Sequence, residues 1–439
     1  MSRKGIFALE EMTEEDGTLA SGAQGGAEAA EAVVIDEAAG AEDLAQADEH
    51  FDAAAEIEEA ANEATATVDT LGEIHKEVGN SLAEGGMSEP EARALEIAVE
   101  HMCAAIGMPK TAKKPFPAME GFADKTTRIS NTKYAMEGLA DKAKDIGQRI
   151  WKAIVAALEY AKKFFASLFN ATEGLKKKAD QIVEASKKAG NVLVEQKDVP
   201  SVSGNFLKLL TVDGSYQVGT ALVAAYKKHT EQPIIKEDRM ALIREIAPIM
   251  EKALSEKDAA TADATVEKAM DEIIRGSKVT VGAEADEHEE PLVFAGQSFY
   301  QKFGDSTTTV SLGDSSSKKE VGEMKEAPAL TPKVIQDLAG AVSDHMEAYK
   351  PLGKDVSTLS GELNAILQKV KAAMSGNGTV SNAIYSQIQT LNNVTVVASK
   401  LLRSYDVKVS SAILEYCVKS LKAIPKPEKA TKNEEVPTT

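Results

Sequence analysis

The most specific chemical signal in this 439-residue chain is a peptide written twice, first as Ala118-Met119-Glu120-Gly121-Phe122-Ala123-Asp124-Lys125 and again as Ala135-Met136-Glu137-Gly138-Leu139-Ala140-Asp141-Lys142. The chemistry it points to is hydrolysis performed on the chain rather than by it. A protease needs extended, accessible backbone, and small residues with Pro117 just upstream suit that need. Ala-x-Glu alone is cheap and recurs nine times within residues 1–137, so the shared octet carries the signal. The octet also marks a charge boundary: residues 1–120 hold 27 Asp+Glu against 7 Lys+Arg, and the remainder holds 42 against 43. A competing reading stays open, in which Ala-Asp-Lys simply opens a helix each time.

Residues able to catalyse anything are harder to find. The chain has no phosphate loop, no Gly-x-Ser-x-Gly elbow, no His-Glu-x-x-His pair and no Cys-x-x-Cys. The cluster Asp286-Glu287-His288-Glu289-Glu290 is the densest set of metal-ligand types, but neighbours on a loop seldom converge on one ion, and a solvated loop is the expectation. Cys103 and Cys417 are too few for a disulfide scaffold and fit a reducing compartment. No enzyme, cofactor or metal is expected. Without a secretory signal or an apolar run long enough to span a bilayer, synthesis and folding in the cytoplasm are expected.

The elements around the octet follow from composition and periodicity. Residues 17–64 are mostly Ala, Glu, Asp and Gly, with too little large apolar surface to offset chain ordering, so disorder or loosely held helices are expected there. Residues 1–137 read as an acidic segment ahead of the helical body. It holds one helix near 88–107, opened by a Ser88-Glu89-Pro90-Glu91 capping box, and a linker over 108–137. Residues 138–277 read as a basic-to-neutral helical region in which one helix starts near Asp141 and a second is bracketed by Thr172 and Gly190. Residues 278–330 are rich in Val, Thr, Phe and Tyr between turn signals and predict a small β-rich insert, peripheral to the body. Thr331-Pro332 restarts the helices over 331–424, where two periodic runs predict a hairpin, and residues 425–439 read as a disordered tail. The fold class is therefore mainly α.

The first helix after the octet pairs an apolar stripe (Ile146, Ile150, Ile154, Leu158), widened by Trp151, with Lys142, Lys144, Arg149, Lys152, Lys162 and Lys163 on the other face, and the next contributes Lys176, Lys177 and Lys178. Such residues are candidates for contact with DNA phosphate or a membrane surface, or for a helix-mediated oligomer. The plainer reading is a core helix with a solvated face.

At this point the chain resembles a family. Ala118-Met119-Glu120 and Ala135-Met136-Glu137 are similar to the (Ala/Ser)-x-Glu sites at which prohead proteases of giant tailed bacteriophages cut after Glu. An acidic, Ala-rich segment ahead of a helical body is similar to the internal head proteins of those phages, including inner-body and ejected proteins. The resemblance implies a non-enzymatic virion structural protein inside the capsid, with residues 1–137 as a propeptide and a mature chain beginning at Gly121 or Gly138. It implies a prohead protease and capsid or other internal head proteins as partners, with packaged DNA or a host membrane met on ejection. The alternative is a cellular helical interaction protein that keeps its acidic arm.

Overall fold

The computed structural model describes residues 40–108, 124–189, 200–236, 241–254, 287–303, 308–320, 324–349 and 382–424, together with isolated positions between them. Three helices lead: α1 (Ala41–Ala83), α2 (Glu89–Ala105) and α3 (Lys125–Ala189). The capping box of α2 forms as its sequence predicts. The Ser88 backbone N–H and hydroxyl both donate to the Glu91 carboxylate, at 2.7 and 2.8 Å, and these bonds hold that carboxyl below its usual range.

Helix α1 lies antiparallel along α3. Its start approaches the far end of α3, where a Cβ on Gly40 would fall 2.8 Å from the Ala171 carbonyl oxygen; Gly86, beyond its end, sits as close to the Arg128 backbone. Both glycines have positive φ, so their turns and their close approaches exclude side chains. The α1 seam follows a seven-residue rhythm, with Ala47, Ala54, Ala61 and Val68 buried to 1 % exposure or less. Alanine at those positions lets the two backbones approach closely. The stretch expected to be disordered or loosely helical is thus, over residues 41–64, part of a packed helix. Small side chains do here what the sequence reading looked for in large ones.

Helix α3 differs from expectation in two ways. It runs unbroken through Thr172, whose hydroxyl donates to the Phe169 carbonyl at 2.7 Å inside the helix, so the expected boundary between two helices is absent. It also begins at Lys125, so residues 125–137, expected as linker, are helical. Asp124 supplies the start: its carboxylate accepts from the Thr127 N–H at 3.0 Å and from the Thr127 hydroxyl at 2.6 Å.

The middle of the chain makes small elements: β1 (Ser201–Val202), α4 (Phe206–Leu209), the hairpin β2 (Thr211–Val212) and β3 (Ser215–Tyr216), then α5 (Gly219–Glu231), α6 (Pro233–Lys236) and α7 (Ala241–Leu254). Asp213-Gly214 forms the turn between β2 and β3, and Gln232-Pro233 separates α5 from α6. An antiparallel meander follows, β4 (Glu287–Pro291), β5 (Gln297–Phe303) and β6 (Thr308–Asp314), in that spatial order. The strand expected over Leu292 to Phe303 starts only at Gln297, because Ala295 and Gly296 take positive φ and turn the chain. Residues 287–290, expected as a solvated loop, are instead the β4 edge; the meander supplies a ladder partner in β5, from Glu287 with Lys302 to Pro291 with Ser298. The meander also reaches inward: Phe294 and Phe299 are buried in the main core.

Strand β7 (Ala327–Pro328) pairs with β1 and leads into α8 (Pro332–Glu347). Thr331 caps α8 by accepting from the Val334 N–H, and Ile335, Leu338, Val342, Met346 and Tyr349 form the buried stripe their spacing predicts. The last helices are α9 (Asn382–Asn392), a π-helical turn (Asn393–Val397) and α10 (Ala398–Ala423). The first arm of the expected hairpin, Val356 to Met374, lies outside the described residues except for isolated positions, and the tail and residues 278–281 lie outside them too. Two cores result. One joins α5, α8, α10 and the C-terminal half of α3; the other joins α1, α2, the N-terminal half of α3, α9 and the π turn.

Candidate functional site: the octets, the acidic helix and its seat

The two octets fall in different settings. Residues 118–121 lie outside the described residues and immediately precede the Asp124 cap of α3. Residues 135–138 lie within α3: Ala135 is fully buried, Glu137 is exposed, and Met136 and Gly138 are half-buried. Extending the Glu137–Gly138 bond into a protease cleft would require unwinding the start of α3, including Thr132, whose hydroxyl accepts from the Met87 N–H at 2.9 Å. The first octet does open a helix with Asp-Lys; the second does not.

The candidate contact residues are spread along one side of α3. Helical spacing puts Lys144, Lys152, Lys163 and Lys177 opposite the buried Ile146, Ile150, Ile154, Phe164 and Leu168, and all four are exposed. Some of the others have protein partners. Lys162 pairs with Glu159 at 2.7 Å, Lys176 with Asp180 at 3.0 Å and Glu347 at 3.6 Å, and Lys178 is buried. Lys142, Arg149 and Trp151 are half-buried.

The larger feature is the seat of α1. That helix carries 12 Asp+Glu and one Lys, whereas α3 carries 14 Lys+Arg and seven Asp+Glu, so an acidic rod lies on a basic one. At the centre of the seam Lys400 of α10, fully buried, donates to both oxygens of Glu58 at 2.9 Å and stands 5.5 Å over the Phe51 ring. Burial outweighs Lys400 and raises the Glu58 carboxyl above its ordinary range. The π turn adds Asn393, whose amide donates to the Thr308 carbonyl at 2.8 Å and reaches Asn62 of α1 at 3.4 Å. A π turn of this kind re-aims side chains within a helix, and here it turns Asn393 toward α1 and β6.

Sequence reading missed a second polar cluster. Asp406, in the middle of α10 and fully buried, accepts from His229 Nε2 at 2.8 Å, from His345 Nε2 at 2.9 Å and from the Tyr349 hydroxyl. Burial pushes its carboxyl up, but the His345 charge and the bonds from both histidines more than offset it, and the pKa lies at about 2. Tyr226, beside His229, is bonded to Ser410 at 2.9 Å, which leaves that hydroxyl engaged. The cluster ties α5, α8 and Tyr349 just beyond α8 to α10; Asp406 and His229 are fully buried, and His345 is partly exposed. Among the described residues no group of three or more His, Cys, Asp or Glu is placed to hold a metal ion, and no helix is long and apolar enough to cross a membrane.

A family model described as phiKZ-like phage internal head proteins matches residues 29–424, a span that takes in α1, its seat and both cores. The chain belongs to that family. Comparison with curated proteins and with solved structures found no match. As an internal head protein the chain resides inside the phage head, having been made in the host cytoplasm, and it is a structural component of the virion. The match begins at residue 29, within the acidic segment, and so covers most of that segment together with the helical body.

Proposed function

We propose that this internal head protein is a non-enzymatic structural component matured by a prohead protease that cuts after Glu120, separating an acidic propeptide, residues 1–120, from a body of near-neutral charge. The supporting observation is the placement of the two octets relative to α3. The first precedes the Asp124 cap, where cutting costs the body no helix; the second is wound into α3 with Ala135 in the core. Cleavage after Glu137 then follows only once α1 and α2 have loosened. A net charge near −20 on the propeptide would repel packaged DNA at short range, so separating it favours packaging. The exposed lysines of α3 are candidate contacts for that DNA, and for a host surface if the protein is ejected.

The test is direct. Glu120→Ala should leave residues 1–120 attached in mature particles, whereas Glu137→Ala alone should leave a normal N-terminus at Gly121. Normal trimming of a Glu120→Ala, Glu137→Ala double variant would refute the assignment.

A further inference from the structure

Helix α1 is seated on the body by contacts unlike those that hold the body together. The first half of its seam is made of alanines, each burying about a methyl group's worth of apolar surface, ~0.8 kcal/mol, against roughly 1.5–3 kcal/mol for a large aliphatic or aromatic side chain. Between those alanines stand Glu58 on Lys400 and Asn62 beside Asn393. At the flank Asp48 of α1 pairs with Lys408 of α10 at 2.9 Å. Such a seam selects its occupant sharply: small residues every seventh position, one carboxylate at depth on Lys400 and a second at the flank on Lys408. Its alanine half opens at the lower cost, because the polar groups there regain water, whereas beyond Ala64 the seam buries Val68, Leu71 and Val78.

We propose that the groove formed by α3, the π turn and α10 is a docking site for an acidic, alanine-striped helix, and that its occupant in trans is residues 41–83 of a second copy of this chain. The inference rests on the processing reading above. While the chain is whole, α1 is tethered to the body through α2, and its effective local concentration, on the order of millimolar for a tethered module, excludes competitors. A cut after Glu120 removes that advantage and leaves α1 held by the seam alone. Copies crowded in one compartment then exchange acidic helices. A second copy is the favoured occupant because the cis complex already displays the complete fit: Ala47, Ala54 and Ala61 at 0–1 % exposure, and both oxygens of Glu58 on one ammonium.

The experiment uses the full chain with residues 118–121 replaced by the recognition sequence of a site-specific protease, and a fluorescent synthetic peptide spanning residues 41–83 as the probe. The uncut chain should take up no peptide. The cut chain should take it up while losing its own N-terminal piece, as read by size exclusion and intact mass. Peptides carrying Ala54→Leu or Glu58→Gln should bind about tenfold more weakly or worse, because one overfills the seam and the other leaves Lys400 without its counter-charge. The proposal is overturned by any of four results: equal binding before and after the cut, retention of the original helix with the peptide excluded, indifference to Ala54→Leu, or preferential transfer of the cut chain to anionic phospholipid vesicles. Because the cut is engineered, this test decides the docking site alone; the processing reading stands or falls on the N-termini found in particles.

Discussion

The seam between α1 and α3 and the core around Asp406 both bury charge, and they do so in opposite ways. In the α1 seam, one bidentate ion pair stands among alanines and amides, and the elements it joins lie on either side of the proposed cleavage point. Around Asp406, three donors from α5, α8 and the residue just beyond it converge on one carboxylate, walled by Tyr226, Phe294 and Tyr405. Tyr405 itself is locked to the Phe294 backbone, accepting from its N–H at 2.9 Å and donating to its carbonyl at 3.0 Å. The contrast teaches that buried polarity can mark either a joint or a keystone. What separates them is the size of the apolar side chains around the charge and the number of partners it satisfies.

The largest effect should come from breaking the keystone. Asp406→Ala leaves His229, His345 and the Tyr349 hydroxyl without their acceptor in the core, and it should cost about 3–5 kcal/mol in urea unfolding, a large part of a domain's stability. Next comes the joint. Lys400→Met leaves Glu58 buried without its partner and should cost about 3 kcal/mol, read as loss of hydrogen-exchange protection in α1 with the C-terminal core unchanged. Adding Glu58→Gln to Lys400→Met should recover most of that loss; an additive penalty instead would show that the two groups do not act as a pair.

Acid sharpens the same comparison. The Asp406 carboxyl is depressed to about 2, so its contribution is intact above the ordinary carboxylate range near pH 4 and is lost as pH falls toward 2. Glu58 is shifted the other way. Its folded form holds a proton more tightly than the unfolded chain does, so its contribution is fullest below the ordinary range and declines as pH rises through that range to the folded value. Acid titration followed by hydrogen exchange should therefore loosen the Asp406 core below pH 4 while the Glu58 position itself gains no penalty. The smallest effect belongs to the cap: Asp124→Ala should loosen the first turn of α3 and speed cleavage after Glu120 in a protease time course.

The sequence displayed the keystone's elements but not the keystone. Ile335, Leu338, Val342, Met346 and Tyr349 could be read as a stripe because large apolar residues at helical spacing carry the signal, and Ser88 and Thr331-Pro332 announced their helix starts. Asp406 could not be read, because its partners His229 and His345 stand 177 and 61 residues away, and each alone is an ordinary polar residue on a helix. The joint was hidden for another reason. Alanines at 47, 54 and 61 contribute little hydropathy, so a seam made of close backbone approach looks like an unstructured acidic tract. Thr172, read as a boundary, stays helical because its hydroxyl satisfies itself on the Phe169 carbonyl. The octets were visible from the start, while their unequal accessibility depended on where α3 begins.

The most direct measurement is peptide-level mass spectrometry of the protein from purified mature particles, scoring N-termini that the digesting enzyme did not create. Peptides beginning at Gly121, with few running across Glu120, are the predicted result. Abundant peptides running intact across Glu120 and Glu137, at the same level as those from the body, would contradict it.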